Sequence, residues 1–197
     1  AFIYSCADSG NDCHVHIINP TNENARLMET IKKNVKDKVL FSVSHDKNLV
    51  GADPKDDKIR CQYASSRFHL ANNIFKDDPG AMSFMLTDID CVVKKKIEWP
   101  GKPIGIFFRP EEQREFMKVA AGMVYLSGSN ESRFFINCVC HIINTNPNIW
   151  FIDQLALNHV YSAWCRDHPD QDLFHVFTQQ DMDWEFTEGT TIWTGKG

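Results

Sequence analysis

The stretch of sequence that decides the fold is Ala81-Met82-Ser83-Phe84-Met85-Leu86-Thr87-Asp88-Ile89-Asp90. Its first seven residues are mostly apolar, which is typical of a strand buried on both faces, as in a parallel sheet covered by helices. Two acidic residues, Asp88 and Asp90, follow that run directly. In open α/β sheets, ligands bind outside the carboxyl ends of the strands, so this acidic pair is expected at a binding site.

The spacing of the two acidic residues points to a particular chemistry. In extended backbone, side chains at positions i and i+2 project to the same side, so both carboxylates can face one site. Two anions held together are unfavourable unless a cation joins them. A hard divalent ion, Mg²⁺ or Mn²⁺, bound together with a phosphorylated ligand would meet that requirement. The tripeptide alone favours an exposed acidic turn, so the interpretation as a site depends on the strand before it.

Short apolar runs alternate with amphipathic stretches along the rest of the chain. The predicted strands cover residues 2–5, 13–18, 39–43, 81–87, 104–108 and 122–126. The predicted helices begin after the Asn-Pro-Thr-Asn turn at 19–22, cover about 63–75 and 131–143, and begin again near Trp150. This alternation predicts a single α/β domain over residues 1–197, with a central, mostly parallel sheet flanked by helices.

Composition limits the class of protein. The chain has 197 residues, 43% of them hydrophobic and 24% charged, which fits a soluble globular domain. The net charge of −5 argues against a nucleic-acid partner, and no apolar run approaches the roughly 18 residues of a membrane helix. The seven cysteines form no Cys-x-x-Cys pair, and no signal peptide is visible. Together these features predict reduced thiols and a cytoplasmic location.

Several short motifs occur in an order that matches a known family. They are CAD at 6–8, VHIIN at 15–19, YASSRF at 63–68, LTDID at 86–90, AAGMVYL at 120–126, WFIDQLAL at 150–157 and IWTGKG at 192–197. In this order and spacing the chain resembles the GT-A glycosyltransferases, the nucleotide-diphospho-sugar transferases with an Asp-x-Asp motif. The resemblance covers nearly the whole chain.

The resemblance implies a metal-dependent enzyme that moves a sugar from a UDP- or GDP-sugar to a hydroxyl of a glycan or another acceptor. It implies that the metal, Mn²⁺ or Mg²⁺, is bound by Asp90 and by Asp88, with Asp88 shared between the metal, the ribose and the sugar hydroxyls. It also implies that the loop after the first strand holds the base and ribose of the donor. The residues of that loop are Ser5, Cys6, Ala7 and Asp8.

The resemblance also assigns roles to five later residues. Arg67 would reach the pyrophosphate or the donor sugar, and Lys196 would neutralise the diphosphate. Ala121 and Gly122 would bring backbone close to the donor sugar, while Asp153 and Gln154 would face the transferred sugar and the acceptor. Each residue also has a plain structural interpretation. These interpretations are a helix-surface salt bridge for Arg67, strand packing for the Ala-Gly pair, an N-terminal helix acid for Asp153 and a solvated terminus for Lys196.

Two other functions stay open from the sequence. The first is a non-catalytic domain that binds nucleotide-sugars or glycans, because many relatives place a histidine near the C-terminus as a third metal ligand and this chain has Thr194 there. The second is a phosphatase of the haloacid-dehalogenase type with Asp88 as the nucleophile. That interpretation is disfavoured because Cys91-Val92 follows the pair about 88 residues into the chain. Retention or inversion at the sugar stays undetermined.

Overall fold

The structure is a computed structural model that describes residues 1–53, 55–78, 80, 83–147 and 149–195. The helices are α1 Phe2–Asp8, α2 Asn22–Val35, α3 Asp57–Asp77, α4 Asn130–Thr145 and α5 Ile152–Asp167. The strands are β1 Cys13–Ile18, β2 Val39–Ser44, β3 Phe84–Thr87, β4 Cys91–Val93, β5 Ile104–Phe108, β6 Val119–Leu126, β7 Phe174–Phe177, β8 Met182–Asp183 and β9 Ile192–Thr194. Short 3₁₀ helices lie at Lys36–Lys38, Lys47–Leu49 and Glu115–Met117.

The chain forms two compact units. The first contains Ala1–Ala52, Ile89–Glu98 and the described chain from Gln179 onward, and the second contains Asp53–Asp88 and Trp99–Thr178. In the first unit, β1 and β2 pair in parallel, while β9 pairs antiparallel with β4 and parallel with β8. The helix-start signal before α2 is confirmed, because Thr21 caps the helix and exchanges hydrogen bonds with Asn24 in a capping box.

The second unit has a four-stranded sheet in the order β3-β6-β5-β7. β6 is antiparallel to both β3 and β5, and β7 is parallel to β5. The helices α3, α4 and α5 pack on this sheet through a shared apolar core. Its members that are less than 1% exposed are Phe68, Ile104, Ile106, Val119, Val124, Leu126, Phe135, Ile136, Val139, Ala156 and Leu157.

Most predicted elements are confirmed. The strands at Cys13–Ile18 and Ile104–Phe108 have the predicted bounds, and the helices predicted at 63–75 and 131–143 are longer by a few residues at each end. Of the strand predicted at 81–87, the part from Phe84 to Thr87 is present, and Ala81 and Met82 lie outside the described residues. No helix in the described part of the chain is long and apolar enough to cross a membrane.

Three expectations about the fold are wrong. The sheet of the second unit is mixed and not mostly parallel. Residues 2–5 are not a strand but belong to α1, because Phe2, Ile3, Cys6 and Ala7 recur at helical spacing and pack on the core of the first unit. β3 is a half-buried strand at the edge of its sheet, whereas every residue of β6 is buried.

Candidate active site

An ion-pair cluster of Arg67, Asp88 and Asp153 lies in the second unit. One terminal nitrogen of the Arg67 guanidinium, Nη1, donates to Asp88 Oδ1, and the other, Nη2, donates to Asp153 Oδ2 at 3.1 Å. The three side chains are 21%, 15% and 8% exposed, respectively. Charges removed from water to this degree need partners, and each carboxylate here meets the same guanidinium. We name these three residues the ion-pair cluster.

Three separate elements bring the cluster together. Arg67 belongs to α3, next to Phe68, whose ring is fully buried in the core. Asp88 follows the last residue of β3, and Asp153 is the second residue of α5. The position of Asp153 in the first helical turn favours its negative charge, since the backbone N–H groups point toward it and its Oδ1 accepts from Gln154 N at 2.9 Å. The helix-start interpretation of Asp153 is therefore confirmed, and the same carboxylate is a member of the ion-pair cluster.

Gly122 provides the space for the Asp88 carboxylate. The pairing of Thr87 with Met123 sets Asp88 beside Gly122, and a Cβ atom on Gly122 would lie 2.7 Å from Asp88 Oδ2. β6 is irregular at this point. Ile106 of β5 lies opposite Val124 of β6, but the next residue, Phe107, lies opposite Ala120. β6 therefore has extra residues between Ala120 and Val124, and these form a bulge. The close neighbour of the Gly122 Cα is thus a carboxylate, and Ala121 packs in the core.

Gln154 is fixed by the main chain. Its amide nitrogen lies 3.1 Å from the carbonyl oxygens of both Phe116 and Val119 when the amide is oriented by its hydrogen-bond partners. This contact ties the start of α5 to the 3₁₀ helix at Glu115–Met117 and to the start of β6. Gln154 therefore lies next to the cluster in the chain, while its side chain binds backbone groups.

The remaining predicted site residues lie outside this cluster. Asp90 is exposed, and it belongs to the first unit. The strand ends at Thr87 and residues 89–90 form a turn, so the extended i, i+2 geometry expected for the acidic pair is wrong. Lys196 lies outside the described residues.

The residues predicted to form a donor-binding loop are helical. Ser5, Cys6, Ala7 and Asp8 all lie in α1, so the expected loop is wrong. The Ser5 hydroxyl donates to Phe2 O at 2.7 Å and accepts from Val93 N at 2.9 Å. Cys6 is buried and Ala7 packs on the core of the first unit, whereas Asp8 is exposed.

Sequence reasoning missed a series of contacts between planar groups at the start of α3 and just before α5. The Arg60 guanidinium lies 4.2 Å from the centre of the Trp150 ring. The centres of the Trp150 and Phe151 rings are 4.9 Å apart, and the Phe151 ring stacks on the Phe116 ring at 5.1 Å. Phe151 has a left-handed backbone with φ of 62°, which is rare for a bulky residue and recurs at functional sites. The spacing of Arg60 and Arg67, two helical turns apart on one side of α3, was the available signal.

The Cys61 thiol on α3 has a pKa above its ordinary value. Burial raises the pKa of the Cys61 thiol, and the negative charges of Asp153 and Asp57 raise it further. The sulfur donates to Ile149 O at 3.3 Å. Because the thiolate is the reactive form, Cys61 has a structural role here.

The described residues also bear on metal binding. Among them, no group of three or more His, Cys, Asp or Glu side chains is arranged to hold a metal ion.

Comparison with known proteins shows a similarity at the level of structure. No protein-family model and no curated protein matches the sequence. Among solved structures, the chain is similar to a glycosyltransferase involved in the glycosylation of the major capsid of PBCV-1, with a TM-score of 0.50 and 11% sequence identity. The match covers 92% of this chain and 92% of that chain. The chain therefore shares the α/β fold of a glycosyltransferase.

Proposed function

We propose that the chain is a GT-A type glycosyltransferase that moves a sugar from a nucleoside diphosphate sugar to an acceptor hydroxyl. The observation that carries this proposal is the ion-pair cluster of Arg67, Asp88 and Asp153, a set of half-buried charges at the end of a strand. The fold shared with a glycosyltransferase supports it. That match covers more of the chain than either unit contains, which also supports a single domain over residues 1–197.

Arg67 would bind the diphosphate of the donor. A guanidinium has five N–H donors in a rigid fork that matches phosphate oxygens. The Arg67 side chain keeps about a fifth of its surface exposed (21%), so a ligand can reach it. The contacts to Asp88 and Asp153 hold the guanidinium in one orientation, which reduces the entropy lost when a ligand binds.

Asp88 and Asp90 would hold a divalent metal ion. Carboxylate oxygens are the ligands that Mg²⁺ and Mn²⁺ prefer, so the chemistry of this pair fits either ion. When bound, the ion would supply positive charge for the departing diphosphate. Arg67 would add to that stabilisation from its own position, because charge develops on the same leaving group.

Asp153 would act on the sugar or the acceptor. Its carboxylate is fixed by Gln154 N and Arg67 Nη2, and it shares the guanidinium with Asp88, which keeps the two carboxylates at one site. A hydroxyl of the sugar or the acceptor would replace one of these two donors. It would then donate to the same Asp153 oxygen, which would fix its orientation. Gln154 would act through Asp153 as a positioning residue, because its amide fixes the first turn of α5 to the main chain.

The other roles implied by the GT-A resemblance complete the proposal. The donor base and ribose would lie at the helix that contains Ser5, Cys6, Ala7 and Asp8, with Asp8 as its exposed member. The donor sugar would approach Ala121 and Gly122, and Lys196 would face the diphosphate. A reducing compartment such as the cytoplasm fits the cysteines, all of which are free among the described residues.

The test is release of nucleoside diphosphate from a panel of UDP- and GDP-sugars, with Mn²⁺ and with EDTA. Arg67→Lys should lower the rate at least about tenfold, because a lysine cannot make the bidentate contact. Arg166→Lys is the matched control, since Arg166 is 73% exposed and pairs with its neighbour Asp167. No release from any donor, with binding intact in melting experiments, would favour a non-catalytic binding domain. Phosphate release from p-nitrophenyl phosphate would favour the phosphatase.

A further inference from the structure

A cavity of about 540 Å³ opens between α3, α4 and α5 in the second unit. It is separate from the ion-pair cluster, and none of the cluster residues lines it. Along α5, Trp164 in the cavity lies eleven residues after Asp153, which corresponds to roughly 16 Å of helix. Its volume lies within the range of small-molecule binding sites, roughly 300–1,000 Å³.

Two aromatic rings form one wall of the cavity. Phe134 on α4 is 60% exposed, and its ring meets Trp164 on α5 edge to face at 5.6 Å. The Trp164 indole is held in place because its Nε1 donates to Gln171 Oε1 at 3.2 Å. Aromatic faces exposed at a cavity can pack against the apolar C–H faces of a ligand.

Polar side chains share the rest of the lining with apolar ones such as Ile142 and Val160. The floor contains Asn72, whose side chain is 7% exposed and donates to Asn137 Oδ1 at 3.5 Å. Exposed members of the lining are Asn137, Asn144, His141 and His159. Side-chain amides both donate and accept hydrogen bonds, which is what a hydroxyl-rich ligand requires.

The charge of the lining is close to balanced. Lys76 is its lysine and Asp167 its carboxylate, and Asp167 already accepts from Arg166 Nε at 2.8 Å. A polyanion or an anionic membrane surface would require a cluster of basic residues. This lining therefore fits a neutral polar ligand better than a phosphorylated one.

We propose that this cavity binds a neutral oligosaccharide, separately from the proposed transfer site. The Phe134 and Trp164 rings pack against the C–H faces of sugar rings, and Asn72, Asn137 and Asn144 bind the hydroxyls. The inference goes beyond the transferase proposal and does not require turnover.

The experiment is titration of the purified chain with maltohexaose, cellohexaose, mannohexaose and chitohexaose, followed by calorimetry and by saturation-transfer NMR. At least one of them should bind, and Phe134→Ala and Trp164→Ala should each weaken that binding at least about tenfold, as expected for buried aromatic contacts. Leu27→Ala is the control, because Leu27 is 55% exposed on α2 in the first unit. Arg67→Lys should leave this binding unchanged, which separates the result from any failure of the transferase proposal.

Three outcomes would overturn the assignment. The first is that none of the four oligosaccharides binds. The second is that binding survives Phe134→Ala in a folded protein, as judged by circular dichroism, since a change at this exposed ring leaves the core intact. The third is that sedimentation shows a dimer of the parent that Phe134→Ala converts to a monomer, because the rings would then serve contact between copies.

Discussion

The two units use their polar side chains differently. In the first unit, the Asn11 amide donates to Lys95 O at 3.1 Å and accepts from Ile97 N at 2.9 Å, and Asn19 exchanges two hydrogen bonds of 2.9 Å with the main chain of Asp46. In the second unit, Arg67, Asp88 and Asp153 bind one another, and they come from three different elements. The hydrogen bonds of Asn11 and Asn19 connect loops to the main chain. The ion pairs of the cluster bring three charged side chains together.

The difference distinguishes polar side chains with a structural role from polar side chains that can bind a ligand. A neutral amide bonded at both ends satisfies buried backbone groups and has little capacity left for a ligand. A half-buried set of charges contributes little net stability, because the desolvation of each charge offsets most of its attraction to the others. Each charged side chain of the set can, however, exchange its partner for a charged ligand. We therefore propose that Arg67, Asp88 and Asp153 take part in the chemistry.

The strongest test of this difference compares Asp153→Asn with Asn11→Ala. Asp153→Asn should lower turnover at least about 10²-fold, the scale for one preorganised electrostatic contact, with little change in nucleotide affinity. Asn11→Ala should lower the free energy of unfolding by about 1–2 kcal/mol and leave turnover per folded molecule unchanged. The measurements are initial rates of diphosphate release and urea titrations. Equal rates for Asp153→Asn and the parent would break the comparison.

A smaller effect is expected from Gly122→Ala. The added Cβ would lie 2.7 Å from Asp88 Oδ2, so the carboxylate must move away from Arg67. Turnover should fall about tenfold and stability by about 1–3 kcal/mol, the cost of overpacking. Gly101→Ala is the matched control, because a Cβ there has no atom within 4 Å. If both variants behave alike in rate and melting temperature, Gly122 does not position Asp88.

Asp90→Asn should act on metal-dependent binding. It removes one carboxylate of the proposed metal pair while β3 stays unchanged, so nucleoside diphosphate affinity in Mn²⁺ should fall about tenfold. Affinity in EDTA should stay as in the parent. Isothermal titration of both proteins under both conditions checks this, and Asp172→Asn is the control, since Asp172 is 81% exposed and pairs with Lys102. Identical metal dependence in parent and variant would remove Asp90 from the site.

Most helices and strands could be assigned correctly from the sequence. How deeply each of them is buried could not be predicted. The apolar run before Asp88 correctly predicted a strand, but its burial depends on its neighbours, and β3 lies at the edge of its sheet. The strand buried throughout is β6. α1 was predicted as a strand because its first residues are apolar and aromatic over a short window. Helical periodicity becomes visible only when Cys6 and Ala7 are included.

The members of the candidate site could be named, but their contacts could not. Arg67, Asp88 and Asp153 were identified through a family resemblance, yet 21 and 86 positions separate Arg67 from its two partners. Pairing over such separations is set by how α3, β3 and α5 pack. The contact between Gly122 and Asp88 likewise depends on the pairing of β3 with β6, which no local pattern indicates.

The smallest predicted effect concerns two histidines of the first unit. Ser42 Oγ on β2 lies 2.7 Å from both His14 Nε2 and His16 Nδ1, and His16 Nε2 lies 2.9 Å from Ser44 Oγ. Partial burial lowers the pKa of both imidazoles, and the neighbouring His16 adds to the effect on His14. Because the pKa is lower in the folded chain, the unfolded chain takes up the proton first as the pH falls. The stabilising contribution is therefore complete above the unfolded pKa of about 6.5 and is lost progressively below it.

His16→Gln should reduce the fall in urea midpoint between pH 7.5 and pH 5.5, whereas His45→Gln, at an exposed position after β2, should not. His69 in the second unit also has a pKa lowered by burial and by Lys76, so part of the fall should persist in His16→Gln. A fall in His16→Gln as large as in the parent would show that the pH dependence arises outside the β1–β2 pair.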